Sequence, residues 1–151
     1  VPEFIRKARD LYGYRHFVND AGGSLCDLED DSVVELLDRH TLILYIQATE
    51  HDEEQLLLRA RTDPKPLYYR EAFLDEEVAA YLRDEGLQYV AEVDPDAFAR
   101  WVFPKLFRSR IPRYEAIATA RGYAVTSDEV AAVADESQFL ALREEAISRG
   151  R

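Results

Sequence analysis

One cysteine, Cys26, is all that the 151 residues contain. No internal disulfide can form, and the sequence suits a reducing compartment. No apolar run is long enough to cross a bilayer, and no signal peptide is visible. Together these absences point to a cytoplasmic protein that does not engage a membrane. The three histidines, His16, His40 and His51, stand at spacings that match no metal site, so no metal centre is expected. No Ser-His-Asp pattern or nucleophile elbow appears. Low-complexity segments, internal repeats and long linkers are missing too. Cations are the scarcer charge: 19 Lys and Arg stand against 30 Asp and Glu, a net charge of −11. Such a surface repels nucleic acid. The first residues are Val1-Pro2, not Met, read as a processed start or a piece of something longer.

What is there fits one domain with a sizeable core, since 47% of residues are hydrophobic and 32% charged. Helices and short strands alternate. Residues 3–12 read as a helix stopped by Gly13, and 15–19 as a short buried strand. Ser32 and Glu35 read as a capping box for a helix that ends near His40. The run 41–46, "TLILYI", is apolar without alternation, the pattern of an interior parallel strand covered on both faces. Thr49 and Asp52 cap the next helix, stopped by Asp63-Pro64-Lys65-Pro66. A helix over 75–85 ends at Gly86, and 88–92 reads as a strand. Asp94-Pro95 starts a helix that runs to Pro104. Pro112 opens another, which ends at Gly122. A strand over 123–125 and two helices, from about Ser127 and Asp135, complete the chain. The expected fold is α/β: a parallel sheet with helices on both faces, one domain over 1–151 with a helical extension over 127–151.

In such sheets ligands sit at the carboxyl ends of strands. Asn19-Asp20-Ala21-Gly22-Gly23 falls at one of those ends. Gly22 and Gly23 let a ligand approach the main chain closely, and Asp20 can bind a hydroxyl. A plain strand-to-helix turn uses the same residues. Cations gather in two places. Arg59, Arg61, Lys65 and Arg70 lie at the end of the 50s helix and in the loop after it. Arg100, Lys105, Arg108, Arg110, Arg113 and Arg121 form a basic island with Glu115 as its one acid. A basic island in an acidic protein suits a compact anion, and Arg or Lys clamps neutralise the charge of phosphoryl transfer. A solvated helix face, or compensation of helix dipoles, accounts for the same residues. Arg110 and Arg113 flank Ile111-Pro112 at an expected helix start, which is already electropositive, so an anion is expected between them. The acids Asp27, Glu29, Asp30 and Asp31 read as a solvated cap region.

The order of pieces is similar to the later part of small P-loop kinases of the shikimate-kinase and nucleotide-kinase type. The resemblance runs from the Gly-Gly turn through "LILYI" and the basic loop "DPKPLYYREAF" to "RYEAIA" and "YAV", about residues 15 to 125. It implies an ATP-dependent small-molecule kinase or ATPase, with ATP and Mg2+ as cofactors and a small molecule or phosphate anion as partner. It implies that Gly22, Gly23, Arg59, Arg110 and Arg113 touch the acceptor. Asp20, Lys65 and Arg70 would serve catalysis as acceptor and lid residues, and Arg108, Arg110 and Arg113 would face nucleotide phosphate. The motif G-x-x-x-x-G-K-S/T, whose amides and lysine cradle the phosphates, is missing from the sequence. The chain alone is therefore expected to be inert as an ATPase. An apolar gap left by the missing central strand is expected to drive self-association into a homo-oligomer. A non-catalytic binding or interaction domain with a basic patch is the alternative.

Overall fold

The computed structural model describes residues 2–28 and 30–150, the side chains of residues 23 and 24 excepted. Glu29, one of the acids noted above, lies outside the described residues. The element order is α1 (Pro2–Tyr12), a 3-10 turn (Gly22–Asp27), α2 (Asp31–His40), β1 (Ile43–Gln47), α3 (Glu50–Thr62), α4 (Glu71–Glu85), a second 3-10 turn (Val90–Glu92), α5 (Pro95–Arg121), β2 (Gly122–Thr126), α6 (Ser127–Ala131) and α7 (Glu136–Arg149).

The fold is 70% helical, with one two-stranded parallel sheet among the described residues. This corrects the expected α/β architecture. The apolar run does form a strand, but over Ile43–Gln47, and its one neighbour is β2, in the register Ile43↔Gly122 through Gln47↔Thr126. Neither of two other expected strands joins it. Residues 15–19 are irregular and exposed. Residues 88–92 turn instead, because the Glu92 carboxylate accepts the amides of Gln88 (2.9 Å) and Tyr89 (3.0 Å). A side chain that captures backbone donors removes them from any ladder. Gly122 lets the two strands meet: a Cβ there would lie 2.8 Å from the Ile43 carbonyl oxygen.

The second correction concerns α5. Pro104 and Pro112, expected to end one helix and open the next, both lie inside a single 27-residue helix. Each proline denies an amide to the carbonyl four residues earlier, here Arg100 and Arg108. Both are exposed residues that water can reach. Burial holds the helix together along its length: Phe98, Val102, Leu106 and Ala118 all face inward. Removing a large apolar side chain from water is worth about 1.5–3 kcal/mol, enough to offset a lost hydrogen bond.

Local end signals hold. Gly13 and Gly86 adopt left-handed backbone (φ 68° at each) after α1 and α4. Thr49 with Asp52 and Thr126 with Glu129 form capping boxes, and Asp94 and Asp135 cap α5 and α7. At α2 the cap is Asp30, whose carboxylate accepts the Ser32 amide at 2.9 Å, in place of the expected Ser32–Glu35 box.

Two cores result. Tyr81, Phe98 and Val102 join α4 to α5, with Tyr69, Phe73 and Trp101 packed around them. Val125, Leu142 and Ala146 join the sheet to α7, so the helices after residue 127 close over one face of β2. No helix among the described residues is long and apolar enough to cross a membrane.

Candidate functional site

The Asp20–Asp27 stretch is organised by its own side chains. Asp20 accepts the Gly22 amide at 2.8 Å, an Asx turn that directs the chain back on itself. Gly22 takes φ 64°, a conformation open to glycine. The 3-10 turn that follows, which includes Gly23, carries Cys26 and Asp27 under α5. Asp27 is 1% exposed, the one buried charged residue among those described.

Two arginines from one face of α5 hold it. Arg110 donates from Nε to Asp27 Oδ2 at 2.7 Å, and its Nη2 lies 2.6 Å from the same oxygen. Arg113 donates from Nη1 to Oδ1 at 2.9 Å. Arg110 Nη2 also donates to the Tyr68 carbonyl at 2.8 Å, tying down the loop between α3 and α4. An unpaired buried carboxylate costs several kcal/mol, and charge-assisted bonds from a planar fork are the geometry that offsets it.

Tyr114 completes the cluster. Its hydroxyl donates to the Gly22 carbonyl at 3.1 Å, and its ring stacks on Tyr45 of β1 with centroids 5.4 Å apart. Burial pushes the Tyr114 phenol up to about 12, so it stays a neutral donor at physiological pH. Burial also raises the Cys26 thiol, and the Asp27 charge beside it raises it further. A thiol held protonated is a poor nucleophile.

Above the clamp lies a cleft of about 380 Å³, lined by Leu25, Cys26, Asp31, Arg70, Arg113 and Arg121 among others. Arg121 also reaches Glu35 at 3.4 Å and Asp38 at 3.6 Å on α2. A larger cleft of about 570 Å³ runs beside β2, between the ends of α5 and α7, with Gln47, Glu115, Glu129 and Arg149 in its lining.

The residues singled out in the sequence fall as follows. Arg70 and Arg113 line the smaller cleft, whereas Arg110 and Gly22 belong to the Asp27 cluster and are not in that lining. Arg110 and Arg113 converge, and the charge between them is the Asp27 carboxylate. Asp20 is close by, with its carboxylate on the Gly22 amide. Arg59 is exposed at the end of α3. Lys65 pairs with Asp63 at 2.7 Å, and Arg108 with Glu53 on α3 at 3.3 Å. These three are not gathered with the others.

Asp27, Tyr45, Tyr114 and Arg121 were missed as site residues. Arg110, Arg113 and Tyr114 stand at i, i+3 and i+4, one helix face. That spacing signals a shared target only once the helix is known to run through Pro112.

The fold and site thus define a mostly helical protein whose long proline-containing helix clamps a buried aspartate beside an arginine-lined cleft. No protein family model matches the chain, and no curated protein and no solved structure does so either.

Proposed function

We propose that this chain is a binding domain for a compact anion, a phosphate or carboxylate, seated in the smaller cleft. The observation that carries this is the lining: Arg70, Arg113 and Arg121 stand around one small cleft with Asp31 as the acid of that lining, while Asp27, Glu35 and Asp38 hold Arg113 and Arg121 in place from outside it. The volume is at the lower end of small-molecule sites, which run from about 300 to 1,000 Å³. Asp27 takes one nitrogen of Arg113 and fixes that side chain at the cleft wall. Positioned guanidiniums bind phosphate or carboxylate oxygens in pairs.

ATP and Mg2+ do not fit the residues present. The phosphate-cradling motif is not in the sequence, and no group of three His, Cys, Asp or Glu able to hold a metal occurs among the described residues. The chain alone is expected to hydrolyse no ATP.

The test is calorimetric titration of inorganic phosphate into the wild type, Arg70→Ala, Arg121→Ala and the distant control Arg108→Ala. Binding that is lost in the first two variants and kept in the control supports the reading. Equal affinity in all four, or none in any, refutes it.

A second reading, an interaction domain without catalysis, is favoured by the N-terminal segment. Phe4, Leu11, Tyr12, Tyr14, Phe17 and Val18 are all exposed there, a larger run of open apolar surface than scattered residues make.

A further inference from the structure

The two strands of the sheet end in different ways at their free edges. On β2, three successive outward positions are satisfied. The Gly122 amide donates to the Ala118 carbonyl, Arg149 donates to the Ala124 carbonyl at 3.5 Å, and the Thr126 amide donates to Glu129 at 2.7 Å. Residues 122, 124 and 126 therefore turn their backbone groups away from β1. In a parallel ladder with Tyr45 opposite Ala124, residues 43, 45 and 47 then face β2, and Leu44 and Ile46 face outward. Among the described residues, no partner meets the outward amides and carbonyls of Leu44 and Ile46.

This edge lacks the usual protection. Natural edge strands carry lysine, proline or a bulge that blocks pairing. The stretch 41–49, "TLILYIQAT", has no charge and no proline in a chain that is 32% charged. Ile46 is 52% exposed and Leu42 41%.

We propose that the open edge of β1 pairs with β1 of a second copy of this chain, antiparallel about a two-fold axis at Tyr45. Leu44 then lies opposite Ile46 of the second copy and the reverse, and each such pair exchanges both amide–carbonyl bonds. Tyr45 meets its own symmetry mate in the close, non-bonded position, where aromatic pairs are favourable. A four-stranded sheet in the order β2-β1-β1-β2 results, closed at both ends by the Arg149 and Glu129 caps. Charge argues for a second copy. Each chain carries −11, so two copies meet at least cost where neither presents a carboxylate, and 41–49 is such a stretch. The proposal does not depend on the anion-binding reading.

Sedimentation velocity and hydrogen exchange test it on the wild type, Ile46→Lys, Leu42→Lys and the control Leu58→Lys on α3. The expected wild-type mass is twice the 17.4 kDa of one chain, falling to one chain in Ile46→Lys and Leu42→Lys and unchanged in Leu58→Lys. The Leu44 and Ile46 amides are expected to be protected in the wild type and to exchange freely in the two edge variants. Protection of the Val125 amide, which faces β1, reports that the fold is intact in each. A monomeric wild type overturns the proposal. So does a dimer whose Leu44 and Ile46 amides exchange freely, or one that survives both edge substitutions.

Discussion

Arg110 places its Nε 2.7 Å from Oδ2 of Asp27, across 83 residues of sequence. That bond, with the one from Arg113, fixes the first quarter of the chain to the middle of the longest helix. It also decides what the basic island is for. Two arginines that look like a waiting anion site in the sequence already hold an anion, and it is internal. Any ligand of the neighbouring cleft meets the side chains that this clamp leaves at its wall.

Substituting Asp27→Asn tests how much the clamp contributes. The amide keeps the shape but leaves two guanidiniums without their counter-charge. Breaking a buried pair by removing one partner costs about 3–5 kcal/mol. The unfolding free energy from urea titration is expected to fall by that amount, through a lower midpoint with the slope unchanged. A loss under about 1 kcal/mol, the size of an ordinary hydrogen bond, would mean that the pair is structurally idle.

Pro112→Ala is expected to stabilise the protein. A proline inside a helix costs about 3 kcal/mol relative to alanine. Part of that is returned, because proline also restricts the unfolded chain by about 0.4–1 kcal/mol. Pro112 is exposed, so no core packing is lost on truncation. The melting temperature should rise, and a fall would show that the helix needs its missing amide.

How much of this was legible in the sequence depended on range. Helix ends were legible where the signal is local: Thr49 with Asp52, Asp94 before Pro95, Gly86 in left-handed backbone. The sheet was not, because whether an apolar run is interior depends on partners elsewhere, and 15–19 and 88–92 do not supply them. Proline was misleading in α5, where burial of Phe98, Val102 and Leu106 outweighs a local rule. Arg110 and Arg113 are close in sequence, and their convergence was legible. Their common target, Asp27, reads as one more acid in the run 27–31, and nothing local marks it as buried.

Acid should weaken the fold through its helix caps. The Asp52 carboxyl is lowered from an ordinary 3.8 to about 2, chiefly by the Ser127 hydroxyl and then by the Thr49 amide and hydroxyl. The Glu129 carboxyl is lowered from 4.5 to about 2, chiefly by Arg149 and then by the Thr126 amide. Depressed carboxyls stabilise the fold above their unfolded values and lose that contribution as pH falls through their folded ones. Stability is therefore expected to decline between about pH 4.5 and 2. Asp52→Asn and Glu129→Gln should each lower stability at neutral pH and flatten the acid limb in melts across that range. A limb as steep in both variants as in the wild type would assign acid sensitivity to other groups.

Cys26 offers a probe of the clamp that does not depend on unfolding the protein. The thiol is 8% exposed, and burial and then the Asp27 charge raise its pKa. Thiolate is the reactive form, so a disulfide reagent at neutral pH should modify native Cys26 far more slowly than the urea-unfolded chain. Cys26 meets solvent only at the floor of the smaller cleft, so opening of the 3-10 turn away from α5 widens access, and such local opening is governed by the contacts that hold the turn. Asp27→Asn acts on both factors: it removes the charge that disfavours the thiolate and loosens the clamp. Arg113→Ala takes one bond from Asp27 and so eases access, but it also removes a cation that lowers the thiol pKa, which offsets part of the gain. Labelling should therefore speed up in both variants, more in Asp27→Asn. A native thiol that reacts as fast as the unfolded one would show that the turn does not hold Cys26 beneath α5, and the site built on that turn would fall with it.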